Sequence, residues 1–95
     1  MKQKTRPDPK VEVKIRFISI MQKYSGERDF KLKVPPDPAA ACDFIIQRYA
    51  IPWKDKLEKS TRIFINKQLA QVFIKSGQNL QEGDLLAFIP ISGGG

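Results

Sequence analysis

Very few side chains in this sequence are equipped for covalent chemistry. There is no histidine among the 95 residues, and Cys42 is the one cysteine. The first absence removes the Ser-His-Asp and Cys-His nucleophile pairs, the imidazole general base and the commonest metal ligand. The second removes an intrachain disulfide and any paired-cysteine zinc site, so no metal site is expected. Cys42 lies on or beside an apolar helical stripe and reads as a small buried hydrophobe rather than a nucleophile. What remains is the main chain. The sequence ends in Gly93, Gly94 and Gly95, which makes the α-carboxylate of Gly95 a reactive group with no side chain beside it. Glycines are entropically costly to order and slender in cross-section, which suits a tail threaded into a narrow channel. Taken alone, three glycines read equally well as a frayed end.

The elements that must position this tail follow from hydrophobic periodicity. Val11, Val13, Ile15 and Phe17 alternate with Glu12, Lys14 and Arg16, the period of a half-buried strand. Ile18, Ile20 and Met21 extend the apolar character to both faces, which predicts that the strand continues centrally through Met21. Tyr24-Ser25-Gly26-Glu27 is a turn, and Phe30, Leu32 and Val34 alternate with Asp29, Lys31 and Lys33, so an antiparallel hairpin is expected. Pro35-Pro36 ends the second strand. Asp37 before Pro38 is a helix start, and Ala41 or Cys42, Ile45, Ile46 and Tyr49 form one stripe of a helix running to Tyr49. Pro52 breaks it, leaving Trp53–Lys59 as a loop or one helical turn. Arg62–Asn66 is a third strand, with a tight turn at Asn66-Lys67-Gln68 into Leu69-Ala70-Gln71-Val72. Leu80–Asp84 ends in a turn signal, and Leu85–Ile89 is an apolar strand stopped by Pro90. Hairpin, helix, short strands and a last buried strand predict an α+β roll of the β-grasp type, with a mixed sheet of four to five strands on one main helix. The expected organisation is a flexible basic tail over 1–10, a β-grasp domain over 11–90 and a Gly-rich tail over 91–95.

The formal net charge is +7. Residues 1–10 contribute +3, residues 11–75 contribute +6, and the last twenty residues contribute −2 through Glu82 and Asp84. Cations scattered singly along strands and loops argue for a solvated surface over a nucleic-acid footprint, so no nucleic-acid partner is expected. The longest apolar run, Leu85–Ile89, is far below the ~20 residues that span a bilayer, and no apolar segment follows the basic N-terminus. A cytoplasmic protein without a membrane partner is the expectation.

The closing stretch sharpens the reading. Leu80-x-x-Gly83-Asp84, five apolar strand residues, Pro90 and a terminal diglycine together resemble the MoaD/ThiS family of ubiquitin-like sulfur carriers. Within that family the resemblance is greatest to the small subunit of molybdopterin synthase. Such subunits end in segments of the type GDEVAFFPPVSGG; here the segment reads GDLLAFIPISGGG. Ile91 stands where a second proline is common, Gly93 where another residue is usual, and the sequence pI of 9.8 contrasts with the usually acidic carriers. The resemblance implies that Gly95 is adenylated by a MoeB/ThiF-type enzyme using ATP and Mg, and that a persulfide donor then converts it to a thiocarboxylate. It further implies a MoaE-like large subunit that receives the tail, with Gly93 and Gly94 threading and Phe88, Ile89, Pro90 and Ile91 in apolar contact with partners. No cofactor is expected on the chain itself, which would donate sulfur without being catalytic alone. A carrier for thiamine, cysteine or tRNA thiolation, a protein modifier, and an RNA-binding β-grasp module are the alternatives.

Overall fold

The period-2 segment forms strand β1 (Val11–Phe17), with Val13, Ile15 and Phe17 fully buried and Lys14 exposed between them. The computed structural model describes residues 10–91, so the expectations for residues 1–9, Ser92 and Gly93–Gly95 lie outside the described residues. β1 pairs antiparallel with β2 (Asp29–Val34) from Val11 opposite Val34 to Arg16 opposite Asp29, as the hairpin reading expects.

The join between these strands corrects that reading. β1 stops at Phe17 instead of continuing through Met21; residues Ser19–Met21 form a 3-10 turn and Gln22–Ser25 a short helix, α1. The cause is local. Ser19 takes a left-handed φ of 57°, which breaks an extended run. The Ile18 N–H then donates to the Phe88 carbonyl at 3.1 Å, fastening the turn to another strand. Met21 is buried while Ile20 is left 55% exposed. Gly26, at φ 81°, closes α1 through its N–H to the Gln22 carbonyl at 2.7 Å.

The helix start is as expected. The Asp37 carboxylate accepts from the Ala40 N–H at 2.9 Å and Pro38 opens α2 (Pro38–Arg48), which buries Ala41, Cys42 and Ile45. Trp53–Leu57 is a π-helical turn leading to β3 (Thr61–Ile65). Asn66 and Lys67, at φ 50° and 75°, make the two-residue turn into β4 (Gln68–Leu69). A strand through Val72 does not form: α3 (Ala70–Lys75) begins there, because Ala70 and Phe73, three residues apart, turn inward together.

β5 (Leu85–Pro90) completes a five-stranded mixed sheet in the order β2-β1-β5-β3-β4. It runs parallel to β1 and antiparallel to β3. The fold is α+β, with α2 and α3 on one side of the sheet. Cys42, Ile45, Phe73 and Leu80 share a core there with Val13, Ile15, Phe17, Ile65, Leu86 and Phe88.

Candidate functional site

The last strand decides where the expected tail can emerge. Gly83, at φ 86°, permits the turn before it; the Gly83 N–H donates to the Glu12 carbonyl and the Lys14 N–H to the Asp84 carbonyl. β5 is thereby locked into the middle of the sheet at its start. At its far end the Ile91 N–H donates to the Ser60 carbonyl at 2.8 Å, so pairing reaches one residue past Pro90. The chain is held on the β1 side as far as Phe88 and on the β3 side as far as Ile91.

Side chains along β5 divide sharply. Phe88 is fully buried, its ring edge-on to Phe17 at 5.2 Å and to Trp53 at 5.9 Å. Direct partner contact through Phe88 is therefore closed off in this arrangement, and its place is in the core. Ile89 and Pro90 are half-buried and Ile91 is exposed. Of the four residues expected to meet partners, these three reach the surface. Gly93, Gly94 and Gly95 lie beyond the described residues. Ile20 is a surface apolar residue that the sequence pattern hid, because an unbroken strand would have made it part of a sheet.

The two faces of the sheet carry different chemistry. Residues opposite one another in register share a face. Lys14 is opposite both Lys31 and Leu85, Arg16 opposite Asp29 and Ala87, Arg62 opposite Ile89, and Phe64 opposite Ala87. No helix among the described residues covers this face. Its centre is apolar, through Leu85, Ala87, Ile89 and Phe64, and it is flanked by Lys14, Lys31, Lys33 and Arg62. Arg16 is tied down, its Nε donating to Asp29 Oδ1 at 2.6 Å. That hydrogen bond, with Arg28 nearby, holds the Asp29 carboxyl below its ordinary range. Lys14 facing Lys31 is a like-charge pair without a carboxylate between the two in register.

At the β3–β4 edge, Cys42 borders a groove with Thr61, Arg62, Ile63, Leu69, Ala70 and Ile74. Burial, reinforced by Asp43 and Asp37, pushes the thiol up to about 12. At neutral pH it is a protonated core side chain, as expected. Among the described residues no three His, Cys, Asp or Glu side chains are grouped to hold a metal, and no helix is long and apolar enough to cross a membrane.

No family model and no curated protein matches the sequence. Solved structures do match. The small archaeal modifier protein 1 from Methanosarcina acetivorans is similar at TM-score 0.67 and 18% identity, over 90% of this chain and 98% of that one. A chain of the complex of subunits 1 and 2 of molybdopterin-converting factor from Helicobacter pylori gives 0.57 and 22%, over 90% and 100%. A chain of the BexX/CysO complex from Amycolatopsis orientalis gives 0.61 and 21%, over 87% and 99%. The fold is therefore the β-grasp that the sequence resemblance implied, shared with structures whose names include both a modifier protein and a molybdopterin-converting factor.

Proposed function

We propose that the chain is a ubiquitin-like sulfur carrier working through the C-terminal carboxylate of Gly95, and that it serves as the small subunit of a molybdopterin synthase. The observation that most supports this reading is that β5, the central strand of a β-grasp sheet, is held by hydrogen bonds through Ile91 and leads directly into Ser92-Gly93-Gly94-Gly95. A rigid body delivering a side-chain-free terminus is what a partner-activated tail requires.

A carboxylate is a poor electrophile because its leaving group would be oxide. An oxygen of the Gly95 carboxylate attacks the α-phosphorus of ATP, pyrophosphate leaves, and an acyl-adenylate forms in the active site of a MoeB/ThiF-type enzyme. The terminal sulfur of a persulfide attacks the carbonyl carbon and AMP leaves. Cleavage of the resulting acyl disulfide by a thiol, which is oxidised to a disulfide, frees the thiocarboxylate. The tail then carries that sulfur to a pterin precursor in a MoaE-like subunit. Throughout, this chain positions and presents; the partners supply acid, base and metal. Gly93 and Gly94 let the tail extend through a channel, and Ile89, Pro90 and Ile91 bear on the partner at its mouth.

The likeness to an archaeal modifier protein favours one second reading, in which a target lysine amine attacks the same activated carbonyl and an amide forms. Both readings share the adenylation step. The full chain is incubated with the adenylating enzyme of its own genome, MgATP and a persulfide donor, and its intact mass is recorded. Exchange of one oxygen for one sulfur at Gly95 is the expected outcome. An unchanged mass with an enzyme competent on its own carrier would sink the proposal.

A further inference from the structure

Strand β2 is one end of the sheet order β2-β1-β5-β3-β4, and no described strand lies beyond it. The main-chain groups it leaves open follow from the hydrogen bonds around β1. The Phe17 N–H donates to the Arg28 carbonyl, whereas the Lys14 N–H donates to the Asp84 carbonyl and the Ile18 N–H to the Phe88 carbonyl. Odd-numbered residues of β1 therefore bond toward β2, and even-numbered ones toward β5. Carried through the register, Phe30, Leu32 and Val34 are the β2 residues that bond to β1, while Asp29, Lys31 and Lys33 turn their N–H and C=O groups outward. Such a row of open donors and acceptors is the template that an added strand takes up. The two sides of this edge differ in chemistry. Lys31 and Lys33 are exposed on the uncovered face, and Asp29, the one carboxylate of the strand, is engaged by Arg16. On the side facing α2, Phe30 and Leu32 are half-buried, and the Phe30 ring meets the half-buried Tyr49 ring edge-on at 5.4 Å. Arg48 holds its guanidinium 5.6 Å from the centre of the Tyr49 ring, and Lys10 its ammonium 5.0 Å from that of Phe44. Cations therefore bound the edge on both sides of an apolar strip that the core leaves half open.

We infer that the edge of β2 takes up, by strand addition, an extended segment of a partner protein in which acidic and apolar residues alternate. Period-2 alternation sends the acidic side chains to Lys31 and Lys33 and the apolar ones onto Phe30, Leu32 and Tyr49, while the segment's main chain completes the open ladder. Acidic residues also relieve the repulsion between Lys14 and Lys31, which stand opposite one another in register. A second copy of this chain is the rival for an open edge. Antiparallel pairing of two β2 strands centred on Lys31 sets that lysine against its counterpart, so the charge that attracts an acidic segment opposes self-pairing. No group of the C-terminal tail takes part, so the edge stands or falls independently of the carrier chemistry.

The probe is a capped synthetic peptide alternating Glu with Val, added to the full chain at low salt. Shifts of the backbone amide resonances are expected to centre on residues 29–33, with binding that weakens as NaCl is raised. Two control peptides are expected to bind about tenfold less tightly: one of the same composition with its glutamates in a single block, and an alternating one N-methylated along its bonding edge. Lys31→Glu is expected to weaken binding about tenfold, and Lys75→Glu, at the end of α3, to match the parent. Lys31→Pro removes an outward N–H without touching the ladder to β1, and is expected to weaken binding several-fold. Thermal melts check that each variant folds; where the proline variant does not, Lys33→Glu and the N-methylated peptide carry the same comparison. The inference is overturned by absence of binding to the parent chain, by equal binding of either control peptide, or by Lys31→Glu binding as the parent does. Self-association of the parent through β2 without peptide overturns it as well, in favour of the second copy.

Discussion

Phe88 and Ile89 are neighbours in β5, yet they belong to different parts of the protein's physics. Phe88 points into the helix-covered core, locked edge-on between Phe17 and Trp53. Ile89 lies on the uncovered face beside Arg62, with solvent reaching it. The same contrast holds along β1, where Ile15 is inaccessible and Lys14 is exposed. One face of the sheet therefore carries the stability of the fold, and the other is free to vary its chemistry without unfolding it. The two faces should separate cleanly under mutation.

The largest expected effect comes from the covered face. Phe88→Ala removes a ring with two aromatic neighbours and should cost about 3–5 kcal/mol, read as a shift in the urea unfolding midpoint. A loss near that of a surface substitution would mean that the two faces are less distinct than the burial indicates. Cys42→Ser places a hydroxyl where the thiol was buried and should cost roughly 1–3 kcal/mol. The parent thiol adds a pH signature. Its folded pKa is raised, so the protonated form is favoured in the fold and the ionised form in the unfolded chain. Stability should decline as pH rises above the ordinary thiol pKa of about 8.5, and Cys42→Ser should remove that decline. Removing the helix cap with Asp37→Ala should cost about 1 kcal/mol, measurable in a thermal melt. The smallest effect, with the opposite sign, belongs to the uncovered face. Lys31→Glu turns the Lys14–Lys31 repulsion into attraction and should gain about 0.2–1 kcal/mol at low salt, vanishing at high salt. If that variant is more stable but binds its partner less well, the repulsion is retained for recognition.

Much of the covered face was legible in the sequence because one period governs it. Val13, Ile15 and Phe17 alternate with polar residues, Asp37-Pro38 marks a helix start, and Leu85–Ile89 is apolar enough to be central. The uncovered face was harder to read. Its apolar residues sit on strands that are apolar on both sides, so periodicity does not say which half meets a helix. Phe88 and Ile89 look equivalent in the sequence for this reason. Ile18–Met21 misled because an apolar run continues a strand pattern, whereas the break comes from the left-handed φ at Ser19 and a hydrogen bond to a strand seventy residues away. α3 eluded a local reading as well. Ala-Gln-Val-Phe-Ile-Lys contains three residues with strong strand preference, and only packing of Ala70 and Phe73 on the core makes it helical.

The position of β5 also governs the order in which the molecule can be completed. It is the last of the described strands to be synthesised, yet it is the only one that joins β1 to β3. Until it emerges, the β1–β2 hairpin and the β3–β4 hairpin have no strand between them, and the sheet does not exist. Parallel pairing between the two ends of the domain also makes its closure intrinsically slow. A chain cut short before β5 therefore lacks the strand that joins the two halves of the sheet. Closure of the described sheet waits on β5, and the two hairpins become one body in a single step.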